Sequence, residues 1–307
     1  MLSRILALLL LLAATAVADT KSEVDRLFMQ ASSGEVKYRD LVKPSEDSLI
    51  AMGDSAAKYL ALKLKSTDAR ERLTLVHIYK GIGKAGTPYL LKALDTDNKD
   101  QLRATARCLA EVKDSAALPD LLHLAGNEDY TIRSEALTAI GRTGGDSQLA
   151  MDVAAFLTDS VPLVRKSCVV ALGRIHADES LPDLVRALND SYFGVRLTAY
   201  DALAKYDSLA FGDILGVIKD GDNPRTRALG VKLAGQLKMS EAADLIMPLM
   251  TDPNDLIRGW AVWSWGRIMG PESEMELTAL GKQETDVFVL SQITATLEYL
   301  HAKSTDE

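Results

Sequence analysis

An all-α solenoid of tandem helix pairs, each roughly 31 residues long, is the fold this sequence predicts. Three observations predict it. Seven arginines stand at positions 72, 103, 133, 165, 196, 227 and 258, a nearly constant step. Around them recurs one pattern: an aliphatic-Arg pair, a small residue three positions on, then a triplet of small residue, bulky apolar residue and Gly. Its clearest copies are Ile132-Arg133…Ala136…Ala139-Ile140-Gly141, Val164-Arg165…Cys168…Ala171-Leu172-Gly173 and Ile257-Arg258…Ala261…Ser264-Trp265-Gly266. Third, the 307 residues are 47% hydrophobic but only 6% aromatic, an Ala-, Leu-, Val- and Ile-rich mixture suited to close helix packing.

The elements follow in chain order. Arg4, the apolar run Ile5 to Leu12 and the Ala16-Val17-Ala18 triplet have the form of a secretory signal peptide over residues 1–18, cleaved after Ala18. An uncleaved anchor is the alternative, but Ile5 to Ala18 is 14 residues where a spanning helix needs about 20. The mature chain is therefore expected to be soluble and exported, periplasmic or secreted. Residues 19–34 read as an N-terminal helix and cap, 35–300 as the repeats, and 301–307 as a tail. The stretch 35–64 is a degenerate first repeat. The stretch 285–300 is a degenerate last one, with Val289 or Leu290 in place of the arginine.

Within each repeat, small or apolar residues three, four and seven places after the arginine define one face of a first helix. A turn follows, assigned to Gly141, Gly173 or the Gly83-Lys84-Ala85-Gly86 stretch. The second helix opens with Pro88, Pro119 or Pro182, where the missing N–H costs nothing. It buries Leu90, Leu121 and Leu184 with their apolar neighbours and ends at Asp95, Asp159, Asp190 or Asp252. Such a pair cannot cover its own apolar face, so it must stack on its neighbours.

These residues resemble HEAT repeats, particularly the short class first associated with phycobilin lyases, over roughly residues 35–300. The resemblance implies a right-handed superhelix of about eight or nine pairs. It also implies a buried ladder of Asp and Arg six residues apart: Asp97/Arg103, Asp159/Arg165, Asp190/Arg196 and Asp252/Arg258, with Arg133 and Arg227 in the same series. Asp222/Arg227 is one residue shorter. Deoxyhypusine hydroxylase, another HEAT-like protein, holds two irons on His-Glu pairs just after the aliphatic-Arg element. The corresponding places here hold Ser134-Glu135, Lys166-Ser167, Leu197-Thr198, Ala228-Leu229 and Gly259-Trp260, and no His-Glu dipeptide exists in the chain. No metal and no cofactor are therefore expected, because iron needs several convergent carboxylate or imidazole ligands.

Other chemistry is sparse. His77, His123, His176 and His301 lack metal-ligand spacing, and no nucleophile elbow or phosphate loop is present. Cys108 and Cys168 lie two repeats apart, beyond disulfide reach, and read as small apolar residues. The formal charge is −8, and the leader carries one Arg and no acid. The acidic balance and scattered basic residues argue against nucleic acid. A protein or peptide partner is expected on the second helices. There Asp120, Asp183, Asp213 and Asp244 form one row, and His123, Asp152 and Arg186 belong to another. The acidic row has two explanations: a groove for a basic partner, or helix-dipole complementation. Trp260 and Trp263 are either interface anchors or packing beneath the last repeat. Together these readings predict an exported, non-catalytic scaffold or adaptor. The alternatives are an enzyme or enzyme-associated subunit of the HEAT-like lyase/hydroxylase class, and a spacer in a cell-envelope complex.

Overall fold

The computed structural model describes residues 19–221 and 223–304, so the predicted signal peptide at 1–18 lies outside the described residues. Among these residues the chain is helical and has no strand, an all-α HEAT-like solenoid. It divides into two compact units between Gly145 and Asp146.

The first unit holds α1 (19–32), α2 (Val42–Ala51), α3 (Asp54–Leu60), α4 (Ala69–Ile82), α5 (Thr87–Lys92), α6 (Lys99–Val112), α7 (Leu118–Ala125) and α8 (Tyr130–Thr143). First helices stack on first helices, α2 on α4, α4 on α6 and α6 on α8, while α5 packs against α6 and α7 against α8. Helix α1 is tied to the first repeat through Lys63, which pairs with Asp25 at 2.6 Å and lies over the Phe28 ring. Val24, Leu27, Phe28 and Ala31 are buried.

The second unit holds α9 (Ser147–Ala154), α10 (Pro162–Ile175), α11 (Leu181–Ala187), α12 (Phe193–Leu203), α13 (Phe211–Asp220), α14 (Pro224–Gln236), α15 (Ala243–Ile246), α16 (Asp255–Met269), α17 (Glu274–Gly281) and α18 (Val287–Ser304). Here α10, α12, α14, α16 and α18 stack in sequence, and the odd-numbered helices pack against the helices that follow them.

Short polar side chains start the first helices. Asp68, Asn98, Asp129, Asn223 and Asn254 each accept a backbone N–H of the first turn. The prolines at the openings of α5, α7 and α11 stand in the first turn as expected.

The turn glycines need correction. Gly141 and Gly173 lie inside α8 and α10, and the residues that end those helices at positive φ are Gly144 and His176. Gly173 is instead a close-approach position. A Cβ there would sit 2.8 Å from the Cβ of Ala202 on α12, so only Gly permits that helix crossing. Gly235 plays the same part against Ser264 on α16.

The arginine series connects consecutive repeats. Arg165 Nη1 donates to the carbonyl of Asp159, 2.8 Å away in the loop before its own helix. Its Nε and Nη2 donate to the Asp190 carboxylate, at 2.6 and 2.9 Å, in the loop before the next first helix. Asp190 also accepts the Tyr192 N–H at 2.7 Å. One guanidinium thus fixes two loops in a bidentate arrangement. Arg258 repeats the wiring with the Asp252 carbonyl at 2.8 Å and Glu284 at 2.9 and 3.2 Å. Arg72, Arg133 and Arg196 make the same carbonyl bonds to their own loops.

Two members depart from the predicted pattern. Arg103 does not use Asp97, which is exposed. Asp100, one turn earlier on the same helix, captures its guanidinium at 2.5 Å, and Thr131 accepts from it at 3.3 Å. Arg227, whose loop is one residue short, donates to the Ile218 carbonyl at 2.8 Å and lies 3.5 Å from Asp252.

Candidate functional site

The exposed face of three consecutive first helices in the second unit forms a cavity of about 310 Å³. Residues at helical spacing build it: Phe193, Leu197 and Tyr200 on α12, Arg225, Leu229 and Lys232 on α14, Leu256 and Trp260 on α16. Successive residues are four and then three apart on α12 and α14, and four apart on α16, so each set shares one face. Arg196 closes one edge. These positions would be polar on an ordinary solvated face, yet Phe193 is 65% and Leu197 45% exposed.

The charges are the second feature. Among the described residues, Arg196, Arg225 and Lys232 have no carboxylate within ion-pair distance, and no Asp or Glu lines the cavity. Lys232 Nζ lies 4.0 Å from the Trp260 ring centroid and 5.2 Å from that of Tyr200, a double cation–π arrangement. Burial pushes the Lys232 ammonium below its usual range, against a partly offsetting pull from Asp201. Burial also pushes the Tyr200 phenol up to about 12. The rings supply flat apolar surface and the cations supply charge, so the cavity can hold a planar apolar group that carries an anion.

Trp260 and Trp263 both make aromatic packing contacts. Trp260 packs edge-on against Phe288 of α18 with centroids 5.7 Å apart, and also lines the cavity. Trp263 meets Trp260 edge-on at 5.7 Å and carries the Arg267 guanidinium over its face at 4.2 Å. Both are half-buried, whereas Trp265 is buried.

The predicted second-helix residues do not converge to the same degree. Asp120 and His123 line a separate cleft of about 390 Å³ in the first unit, with Asp95 and Asn127. Asp183 is committed to Arg186 on its own helix at 2.9 Å, and Asp152 accepts from Gln148 at 3.2 Å. Asp213 is half-buried and Asp244 exposed, each in the first turn of its helix as macrodipole complementation requires.

Two histidines make contacts within the fold. His176 stacks on Tyr206 with centroids 4.0 Å apart, and His301 lies 2.8 Å from Glu274. Cys108 and Cys168 are buried free thiols, pushed up by burial. Sequence reasoning missed Phe193, Tyr200, Arg225 and Lys232 because it compared repeats one column at a time. The signal was the side-by-side placement of α12, α14 and α16, which brings apolar, aromatic and basic residues of three repeats together.

The HEAT-repeat profile matches residues 87–168, 151–216 and 213–298, well over half of the chain. The chain belongs to the HEAT-repeat family. As a HEAT-repeat protein it is similar in fold to the YibA protein of E. coli, with 14% identity and a TM-score of 0.50, over 83% of this chain and 96% of that one. It is similar likewise to Kap121p, with 16% identity and a TM-score of 0.52, over 84% of this chain and 35% of that one. Among curated proteins it is similar to the deoxyhypusine hydroxylase of Candida albicans, 25% identical over 225 residues, 71% of this chain and 69% of the relative.

That last similarity corrects the functional expectation. It points to an enzyme-type HEAT-like protein and away from a non-catalytic scaffold. The chain has no His-Glu dipeptide. The places for His-Glu pairs hold the residues named above, and among the described residues no group of three or more His, Cys, Asp or Glu side chains could hold a metal ion. No described helix is long and apolar enough to cross a membrane.

Proposed function

We propose that this HEAT-repeat protein serves an enzymatic reaction of the hydroxylase/lyase class, as the enzyme or as the subunit that holds the substrate, and that the α12–α14–α16 cavity is its substrate site. The observation that carries the proposal is the cavity itself: three cations free of ion pairing among the described residues, set around an apolar and aromatic floor. Arg196 is bonded to the carbonyls of its own loop, whereas Arg225 and Lys232 have no acid at ion-pair distance among the described residues, so an anionic ligand would add a counter-charge that the aromatic neighbours of Lys232 do not supply. Similarity to a hydroxylase supports the enzymatic half of the proposal.

The same proposal places the protein outside the cytoplasm, supported by the apolar run before Ala18. Intact-mass analysis of the mature protein is expected to begin at Asp19. A mature chain that retains Met1 contradicts export by cleavage.

The functional test compares cells lacking the gene with cells complemented by it, using untargeted mass spectrometry of proteins and small molecules. The expected result is a covalent modification that vanishes with the gene, returns with the wild-type chain and fails to return with Lys232→Met. An unchanged set of modifications overturns the enzymatic reading.

A further inference from the structure

From the chemistry of this cavity we infer that its ligand is a small aromatic carboxylate, one or two fused rings bearing a single acid group; the inference rests on the α12–α14–α16 cavity being a substrate site. Size comes first. About 310 Å³ lies at the small end of ligand pockets, enough for a ring system with a short arm and too little for a folded peptide segment.

Shape and polarity come next. The Tyr200 and Trp260 rings flank the Lys232 side chain, while Leu197, Leu229 and Leu256 give apolar walls, so the body of the ligand is flat and apolar. Charge fixes the rest. Arg196, Arg225 and Lys232 line the cavity with no carboxylate among the lining residues, so a cationic ligand is repelled and a neutral one leaves the cations uncompensated. A guanidinium binds a carboxylate through two parallel N–H donors, which suits Arg225 as an exposed arm closing over the acid group. Lys232, already desolvated, regains a counter-ion when the acid arrives.

The experiment is isothermal titration of the full mature chain with 1-naphthoate, naphthalene and 1-naphthylmethylammonium. Naphthoate is expected to bind with one-to-one stoichiometry. The ammonium analogue should show no measurable binding, and naphthalene should bind at least about tenfold more weakly, as befits loss of a charge-assisted hydrogen bond. Lys232→Met and Arg225→Gln, each checked for unchanged helicity, should each weaken naphthoate about tenfold. Both substitutions keep the apolar stem, and neither residue holds the ladder together. Naphthoate binding that persists unchanged in both variants overturns the inference, as does equal binding of the ammonium analogue. If naphthoate fails to bind while the gene-dependent modification persists and still needs Lys232, the ligand class is wrong and the substrate site stands. If the modification is also absent, the functional proposal itself fails.

Discussion

The exposed first-helix faces of the two units are built from the same repeat and treat their charges in opposite ways. In the first unit a groove of about 470 Å³ is lined by Arg107, Arg142, Glu111 and Glu135. Arg72, also on its wall, bonds to the carbonyls of Ser66 and Thr67, while the other two arginines are paired with acids. Arg107 donates to Glu135, with its Nε at 2.8 Å, while Arg142 pairs with Glu111, which also lies 3.2 Å from Lys80. In the second unit a smaller cavity holds three cations, aromatic walls and no lining carboxylate. The larger groove carries carboxylates of its own that pair Arg107 and Arg142, and the smaller cavity has no carboxylate among its lining residues.

The largest expected effect separates both faces from the ladder beneath them. Arg165→Ala strands the Asp190 carboxylate, which lies between two loops with its side chain 11% exposed. Urea unfolding should show a loss of about 3–5 kcal/mol. The equivalent change on the first-unit face, Arg107→Ala, should cost less than about 1 kcal/mol, because that pair is open to solvent. Equal losses would mean that the ladder arginines are no more structural than surface ones.

A second test uses acid. Hydrogen bonds from Arg258 and from the Asp286 and Thr285 N–H groups hold the Glu284 carboxyl at about 2, below its ordinary 4.5. A depressed carboxyl contributes stability in full above its unfolded value, and loses it as pH falls through its folded one. The protein should therefore lose stability between about pH 4.5 and 2, and Glu284→Gln should flatten that part of the curve. An identical acid limb in the variant contradicts the assignment.

Smaller effects bear on the faces directly. Glu111→Gln leaves Lys80 and Arg142 without their shared acid and should cost up to about 1 kcal/mol. Lys232→Met removes a charge that has no acid beside it at ion-pair distance, and should leave the unfolding free energy from urea titration within about 0.5 kcal/mol of wild type. A large loss in the second variant, with none in the first, would reverse the comparison. The smallest effect is optical. With Trp263 and Trp265 replaced by Phe, iodide should quench Trp260 more strongly than caesium does, since the surrounding cations concentrate anions. Equal quenching would remove the electrostatic part of the comparison.

The repeat was legible because it is periodic. Arg133, Arg165 and Arg258 recur with small residues at fixed offsets, and one-dimensional stacking turns that period directly into a fold. The ladder partners were only partly legible. The six-residue spacing does bring Arg165 to the Asp159 loop, but through its carbonyl. The carboxylate that Arg165 engages is Asp190, one repeat ahead, and no offset within a single repeat reveals it. Gly173 was misplaced for a related reason: glycine at a helix crossing and glycine at a helix end look alike in sequence, and only the approach of Ala202 distinguishes them. The cavity was the least legible feature. Phe193, Arg225 and Lys232 are unremarkable on their own helices and acquire meaning only when α12, α14 and α16 stand side by side. Trp260 was noticed, but the groups around it were not.

The central claim is that function resides on the second-unit face and not on its paired counterpart. Complementing gene-deficient cells with Lys232→Met and, separately, with Glu111→Gln tests it most directly, when the gene-dependent modification is quantified by mass spectrometry at matched protein levels. The account predicts that Glu111→Gln restores the modification and Lys232→Met does not. Restoration by Lys232→Met, or its loss with Glu111→Gln alone, would contradict it.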